Sequence, residues 1–272
     1  MPRFQPFLAR SISAADTDEV LQLARAASAH GIYVGNAVLA REGEVVALFG
    51  RDHLLGCLWF GPRGNLIVIE SEPLDPELVA IAVHESRWPW RIALGPDPTV
   101  ALLSQRVVGK VLVNRAQVYH GCQPVAVVHQ KPPVVVRKAQ HEDRERLIAA
   151  TLELNRVDLK VDPHRVDRRW LRDMVDSRIG DGSTLVIGEV GKPLCKLDIG
   201  SRGAFGIVIE GVFTFPEQRG RGLATRLVAV AASDASTPYS CLHVAADNGP
   251  ARSAYVRAGM HEVGRCRLLL LG

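Results

Sequence analysis

The densest chemical signal in the chain is the run PEQRGRGLATRL at 216–227, where Arg219, Gly220, Arg221 and Gly222 crowd together. An apolar, periodic stretch follows at once and predicts a helix, so the loop stands at a helix N-terminus. The first N–H groups of a helix have no partner within it and carry the positive end of its dipole. An anion docked there gains several charge-assisted hydrogen bonds. Gly220 and Gly222 allow an oxyanion to approach the backbone, while Arg219 and Arg221 add charge suited to phosphate. The chemistry read from residues 219–225 is phosphate or pyrophosphate binding.

Several architectures use such a loop. The P-loop pattern, Gly, four residues, then Gly-Lys-Ser/Thr, is absent. The dinucleotide fingerprint shares Gly220-x-Gly222 at a helix start and Asp247 after a later strand, but it places its first glycine directly at the end of the first strand of a β-α-β unit. Here PEQR intervenes and three strand candidates come first. A basic loop that merely turns the chain is the remaining plain alternative.

The elements that position the loop are legible on either side of it. Pro132-Pro133 forbids a continuous helix or central strand and sets a boundary at about 125–134. Beyond it come a short strand VVVRKA, a helix HEDRERLIAATLELNRV and a second helix in DPHRVDRRWLRDMVDSRIG that begins after Pro163 and stops near Gly180. Three strands, STLVIGEV, KPLCKLDIG and GIVIEGVFTF, follow as an antiparallel meander. A helix LATRLVAVAASDA, a strand YSCLHVAA, a helix PARSAYVRAG and a last strand pair around HEVGRCRLLLLG complete the half. Period-2 alternation puts Glu210 on the same face as Val208 and Val212.

The first half repeats the order more weakly: a helix ADTDEVLQLARAASAHG, strands EVVALFG, HLLGCLWFG and NLIVIES, a helix DPELVAIAVHES, a strand WRIALGP and a helix TVALLSQRVVG. Ile-Val-Ile-Glu occurs at 67–70 and again at 207–210, in the same place in both orders. The reading is a tandem duplication. From Glu70 the first copy reaches its helix through SEPLDPEL, without a glycine-arginine loop. A length of 272 residues suits two domains of about 130 residues each.

Composition narrows the class. With 47% hydrophobic and 23% charged residues the chain is an ordinary globular one, neither disordered nor a membrane protein. The N-terminal residues lack an apolar core and cleavage pattern, so the expected location is cytoplasmic. Cys57, Cys122, Cys195, Cys241 and Cys266 are scattered through apolar segments and are expected as buried free thiols. No CxxC or HxxxH pair occurs, so no metal is expected. A net charge of +4, with basic and acidic residues interspersed, does not call for nucleic acid.

Taken together, VFTFPEQRGRGLATRLV and LHVAADNGPARSAYVRAGM resemble the acyl-CoA-binding core of the GNAT superfamily of N-acyltransferases, over roughly residues 134–272. The family's Arg/Gln-x-x-Gly-x-Gly/Ala loop is matched by Arg219-x-x-Gly222-x-Ala224, and its later Asn, Ala, Tyr and Ala-Gly positions by Asn248, Ala251, Tyr255 and Ala258-Gly259. The resemblance implies α/β (α+β mixed sheet) architecture: tandem GNAT-like folds, each a mixed, mostly antiparallel twisted sheet flanked by helices. The division is 1–128, a degenerate copy lacking a coenzyme loop, and 134–272, a catalytic acyltransferase domain.

The resemblance also implies roles. Acetyl-CoA is the cosubstrate, its pantetheine arm along Val212, Phe213 and Thr214, its pyrophosphate on Arg219, Gly220, Arg221, Gly222, Leu223, Ala224 and Thr225, with Asn248, Ala251 and Tyr255 also contacting it. Tyr255 is the general acid toward the coenzyme sulfur, and Glu210 or His243 the base for the attacking amine. Asp158 and Asp162, between the first two helices, would attract a cationic acceptor. Each has a structural alternative: Tyr255 and His243 as core residues, Glu210 as a structural carboxylate like Glu70, and both aspartates as solvated surface. The implied activity is acetyl transfer to a primary amine, on a small molecule or a protein. A non-catalytic acyl-CoA sensor and a substrate-recruiting interaction protein are the other classes. Membranes are not an expected partner, and the acceptor and oligomeric state are not encoded legibly.

Overall fold

The structure is a computed structural model that describes residues 8–50, 53–107, 109–124 and 135–272. The expected boundary at 125–134, with Pro132-Pro133, lies outside the described residues. The chain divides into two compact units: one runs through Tyr119 and includes Gly264–Gly272, and the other is His120–Val263. These units differ from a cut at 128/134, because the last residues of the chain belong with the first unit.

The first unit contains β1 (Leu8–Ser11), α1 (Thr17–Ala26), α2 (Ser28–Ala40), β2 (Glu44–Phe49), β3 (Leu54–Phe60), β4 (Asn65–Glu70), α3 (Pro76–Glu85), β5 (Ile92–Gly95), α4 (Asp97–Leu103) and most of β6 (Val111–Cys122). The second contains β7 (Val136–Lys138), α5 (Arg144–Asp158), α6 (Arg168–Gly180), β8 (Thr184–Glu189), β9 (Lys192–Gly203), β10 (Gly206–Thr214), α7 (Leu223–Ala232), β11 (Ser240–Ala245) and α8 (Gly249–Arg257). The chain ends in β12 (His261–Leu271), which pairs antiparallel with β5 from Arg267 to Leu270.

The two units share one pairing scheme. Strands β1-β2-β3-β4 are successively antiparallel and β4 then pairs parallel with β5. Likewise β7-β8-β9-β10 are antiparallel and β10 pairs parallel with β11. An ion pair recurs at the same spacing as well. Arg10 grips Asp16 with two bonds of 2.7 Å, and Asp16 accepts the Ser13 N–H at 2.7 Å. Arg137 grips Asp143 at 2.6 and 2.9 Å, and Asp143 accepts the Gln140 N–H at 2.8 Å. In both copies the arginine lies on the first strand and the aspartate six residues later, at the entry to the first helix. This Arg-x5-Asp spacing is present in the sequence and marks the duplication more specifically than four strand residues do. The chain is a tandem repeat of one mixed α/β fold.

In the second unit, alternate residues of the central strands serve two layers. Cys195, Leu197, Ile199, Ile207, Ile209, Leu242 and Val244 pack with Leu227, Val228 and Tyr255 beneath α7 and α8. On the other side, Leu147, Ile148, Leu171, Val175 and Val186 form a smaller core under α5 and α6. All five cysteines are free and buried.

Four local expectations are corrected. The long first helix breaks at Ala27 into α1 and α2. The helix expected to begin after Pro163 begins at Arg168, because Asp167 adopts an extended conformation and caps the N–H groups of Arg169 and Trp170, while 163–165 form a separate 3-10 turn. The C-terminal strand pair is the single strand β12, and β6 occupies a segment the sequence left unassigned.

Asp143 is fully buried and also accepts the Gly191 N–H at 2.9 Å. Burial pushes its carboxyl up, but the Arg137 guanidinium and the backbone N–H groups outweigh burial and hold it below the usual carboxylate range. Asp143→Ala leaves Arg137 largely enclosed without its partner, an expected loss of about 3 kcal/mol by chemical denaturation. Because the folded-state value is depressed, this contribution is complete above the ordinary aspartate pKa of about 4. It disappears as pH falls through the lower folded value, so wild type and variant should converge in acid.

Candidate functional site

The site grows from a failure of two strands to stay paired. β10 and β11 run parallel and match only at Ile207↔Ser240 and Val208↔Cys241, although β10 continues to Thr214 and β11 to Ala245. Across its other edge β10 remains paired with β9 as far as Thr214↔Cys195. The edge of β10 beyond Val208 that faces β11 is therefore left for something other than β11.

A β-bulge accompanies the parting. Gly211 and Val212 stand on β10 between the pairs Glu210↔Asp198 and Phe213↔Lys196, where β9 has only Leu197. Gly211 takes φ +56°, a left-handed conformation that favours glycine. The extra residue shifts the alternation. Val212 packs with the α7/α8 core, whereas Phe213 and Phe215 pack on Ala150 and Leu154 of α5. The expectation that Glu210 and Val212 share a face is thus overturned by the bulge.

Glu210 instead faces the α5/α6 side. Its neighbours there are Asp198, opposite it on β9, and Arg178 of α6, whose Nη2 donates to Oε2 at 3.4 Å. His243 lies on β11 between Leu242 and Val244, both of which point to the α7/α8 core, so it points to the Glu210 side. Glu210 and His243 each lie two residues beyond the last matched pair, Val208↔Cys241.

Tyr255 approaches from the other layer. It is buried in the α7/α8 core, edge-on to His120 with ring centroids 5.9 Å apart. Burial raises its phenol well above the usual tyrosine range, and the charge of Asp158 pushes it further the same way. Asp158 lies at the last turn of α5. Asp162 differs: it is exposed and caps the turn at Pro163–Arg165, accepting the His164 N–H at 2.9 Å.

The glycine-arginine loop follows β10 directly. Gly220 and Gly222 have φ +77° and +70°, and a Cβ on either would meet nothing within 4 Å, so both glycine faces are open. Gly222 begins α7 with no side-chain cap, which leaves the N–H groups of Leu223, Ala224 and Thr225 at the head of the helix. Arg219 and Arg221 are exposed; Arg219 Nε donates to the Thr214 carbonyl at 3.3 Å, and Arg221 to the Gln218 side chain. Asn248 caps α8 by accepting the Ala251 N–H at 3.2 Å. In the first unit the counterpart helix α3 is closed: Asp75 caps it, accepting the Glu77 N–H at 2.7 Å, and puts a carboxylate where an anion would have to sit.

Residues 148–260 match the model of the acetyltransferase (GNAT) family. This segment is a GNAT acetyltransferase domain. The fold likeness extends over the whole chain. A GNAT-family acetyltransferase from Colwellia psychrerythraea is similar at 14% identity and TM-score 0.53, covering 97% of this chain and 99% of that one. A GCN5-related N-acetyltransferase from Sphaerobacter thermophilus is similar at 18% identity and TM-score 0.57, covering 97% and 94%. A tandem GNAT protein from the clavulanic acid biosynthesis pathway is similar at 11% identity and TM-score 0.50, covering 97% and 98%. At these identities the likeness is one of fold. No curated protein matches the chain. A GNAT domain at residues 148–260 implies acyl transfer from coenzyme A, with acetyl-CoA as cosubstrate. The open helix head and glycine cradle suit the coenzyme's phosphates. Among the described residues no group of His, Cys, Asp or Glu is arranged to hold a metal, and no helix is long and apolar enough to cross a membrane.

The candidate site also contains residues that the sequence reading missed. Lys196 and Asp198 alternate with Cys195, Leu197 and Ile199 along β9, and Arg178 reaches Asp198 from α6. Two charges at period two inside an apolar strand were a visible signal, but their meeting with Glu210 depends on register.

The bulge gives a direct test. A side chain at Gly211 would place its Cβ 2.6 Å from Asp198 Oδ2 in addition to the strain of φ +56°, whereas Gly222→Ala meets strain alone. Left-handed strain costs about 1–2 kcal/mol. Gly222→Ala should lose about that much in urea unfolding, and Gly211→Ala distinctly more.

Proposed function

We propose that the second unit moves an acetyl group from acetyl-CoA to a primary amine by direct attack within a ternary complex. The observation that supports this reading is the early end of pairing between β10 and β11, with the uncapped glycine-arginine loop following β10. The free edge of Val212, Phe213 and Thr214 takes the pantetheine arm as an added strand, and residues 219–225 take the pyrophosphate. Asn248 and Ala251 line the start of α8 beside the coenzyme. Holding the thioester in this way places its carbonyl beside the amine, which is a large share of what acyl transfer requires.

The amine nitrogen attacks the carbonyl carbon, the C–S bond breaks, and two protons must move. One leaves the amine for the Glu210 carboxylate or the His243 imidazole, directly or through water. The other passes from the Tyr255 hydroxyl to the departing sulfur. Burial and the Asp158 charge keep that phenol protonated, as an acid requires. Asp158 also attracts the acceptor's cation toward the gap, with Asp162 further out on the same loop. The first unit, with Asp75 closing its helix, binds no coenzyme.

Tyr255→Phe is expected to lower turnover with coenzyme affinity intact, measured by thiol release and calorimetry; unchanged turnover removes the acid role. Arg219→Ala removes a charge-assisted bond worth about 1.5–3 kcal/mol, an expected 10- to 100-fold weakening of CoA binding. Unaltered binding removes the pyrophosphate assignment. Thiol release from acetyl-CoA across amino acids, lysine peptides, N-terminal peptides, polyamines and aminoglycosides identifies the acceptor. Tight CoA binding without release for any amine would favour a sensor.

A further inference from the structure

Beside the gap lies a cluster of four charged side chains that the acetyl-transfer reading uses only in part. Asp198 is 3% exposed and is held from three sides: Lys196 Nζ at 2.5 Å, Thr184 Oγ1 at 2.7 Å and the Arg178 guanidinium. Burial pushes the Asp198 carboxyl up, but Lys196 and Arg178 outweigh it and keep it ionised below its usual range. With its oxygens so engaged Asp198 cannot turn, and it clamps one end of the Arg178 guanidinium. The other end, Nη2, meets Glu210 Oε2 at 3.4 Å.

The backbone shapes the same arrangement. A Cβ at Gly200 would fall 2.1 Å from the Glu210 carboxyl carbon and 2.2 and 2.4 Å from its oxygens. The Glu210 carboxylate therefore occupies volume that any other residue at 200 would fill. Three members are enclosed, with side-chain exposures of 3, 4 and 13% for Lys196, Asp198 and Arg178, while Glu210 at 28% opens outward. An apolar replacement for an enclosed charge cluster is often as stable. Stability alone gives little reason to bury these four groups. In the first unit, where the helix head is closed, the corresponding Glu70 accepts a 2.6 Å bond from the neutral Thr99 hydroxyl instead.

We infer that Arg178, clamped by Asp198, is a positioning residue that holds the Glu210 carboxylate toward the acceptor amine, in space that Gly200 leaves for it. The inference rests on Glu210 acting as the base. Arg178 touches no reacting atom; it acts through the orientation of Glu210, and Lys196 balances the second carboxylate.

The test uses the full chain with acetyl-CoA and propylamine, a minimal primary amine that needs no specific docking contacts, read by thiol release. Displacing a reacting group by about 1 Å costs on the order of 100-fold in rate. Arg178→Ala and Gly200→Ala should each lower kcat by roughly that factor with KM for acetyl-CoA unchanged. Arg178→Lys should recover part of the loss, which a purely structural role does not predict for kcat alone. In a Glu210→Ala background, Gly200→Ala should add nothing, since the carboxylate it displaces is gone. If Glu210→Gln loses activity while Arg178→Ala and Gly200→Ala keep wild-type kcat, the positioning role is overturned and the base stands. If Glu210→Gln keeps wild-type kcat, the base role falls and the positioning role with it.

Discussion

The matched register of β10 and β11 ends at Val208↔Cys241, and the rest of the second unit is organised around that ending. A strand edge buried without partners is costly, so a fold that opens two central strands must offer the exposed groups to solvent or to a ligand. Here the opening coincides with a bulge on β10, where Gly211 takes a left-handed conformation. The bulge sends Val212 to one layer and Glu210 to the other. One left-handed glycine thus separates the residues that would line the thioester from the carboxylate that would serve the amine.

The two copies show what the opening requires. Both have the same strand pairing, the same Arg-x5-Asp ion pair at the entry to the first helix and a glutamate at the end of Ile-Val-Ile-Glu. They differ at the helix that follows. α7 begins with glycines in open space and no cap, whereas α3 begins with the Asp75 carboxylate over its N–H groups. The glutamates differ with them, Glu210 bonding to a guanidinium and Glu70 to a hydroxyl. The shared scaffold thus has one helix head open and one capped.

Much of this was legible along the chain, because the signals are local. The meander, the helix after the glycine loop and the repeat of Ile-Val-Ile-Glu follow from periodicity, turn chemistry and composition, which act over a few residues. The Arg219-Gly222 loop could be read as an anion site because a helix head and its glycines are adjacent in sequence. Boundaries set by competing caps were not so legible: Asp167 starts α6 where Pro163 had a similar claim.

The sequence by itself determined the fold class, the duplication and the glycine-arginine loop at a helix head, each a property of neighbouring residues. Only the tertiary structure decided which side chains meet. It set Glu210 opposite Asp198 on β9 and against Arg178 of α6, and left Tyr255 in the α7/α8 core of the opposite layer. Strand register sets the first two, and a bulge of one residue reverses the facing of everything beyond it. No pattern within β10 alone records how many residues β9 will match against it.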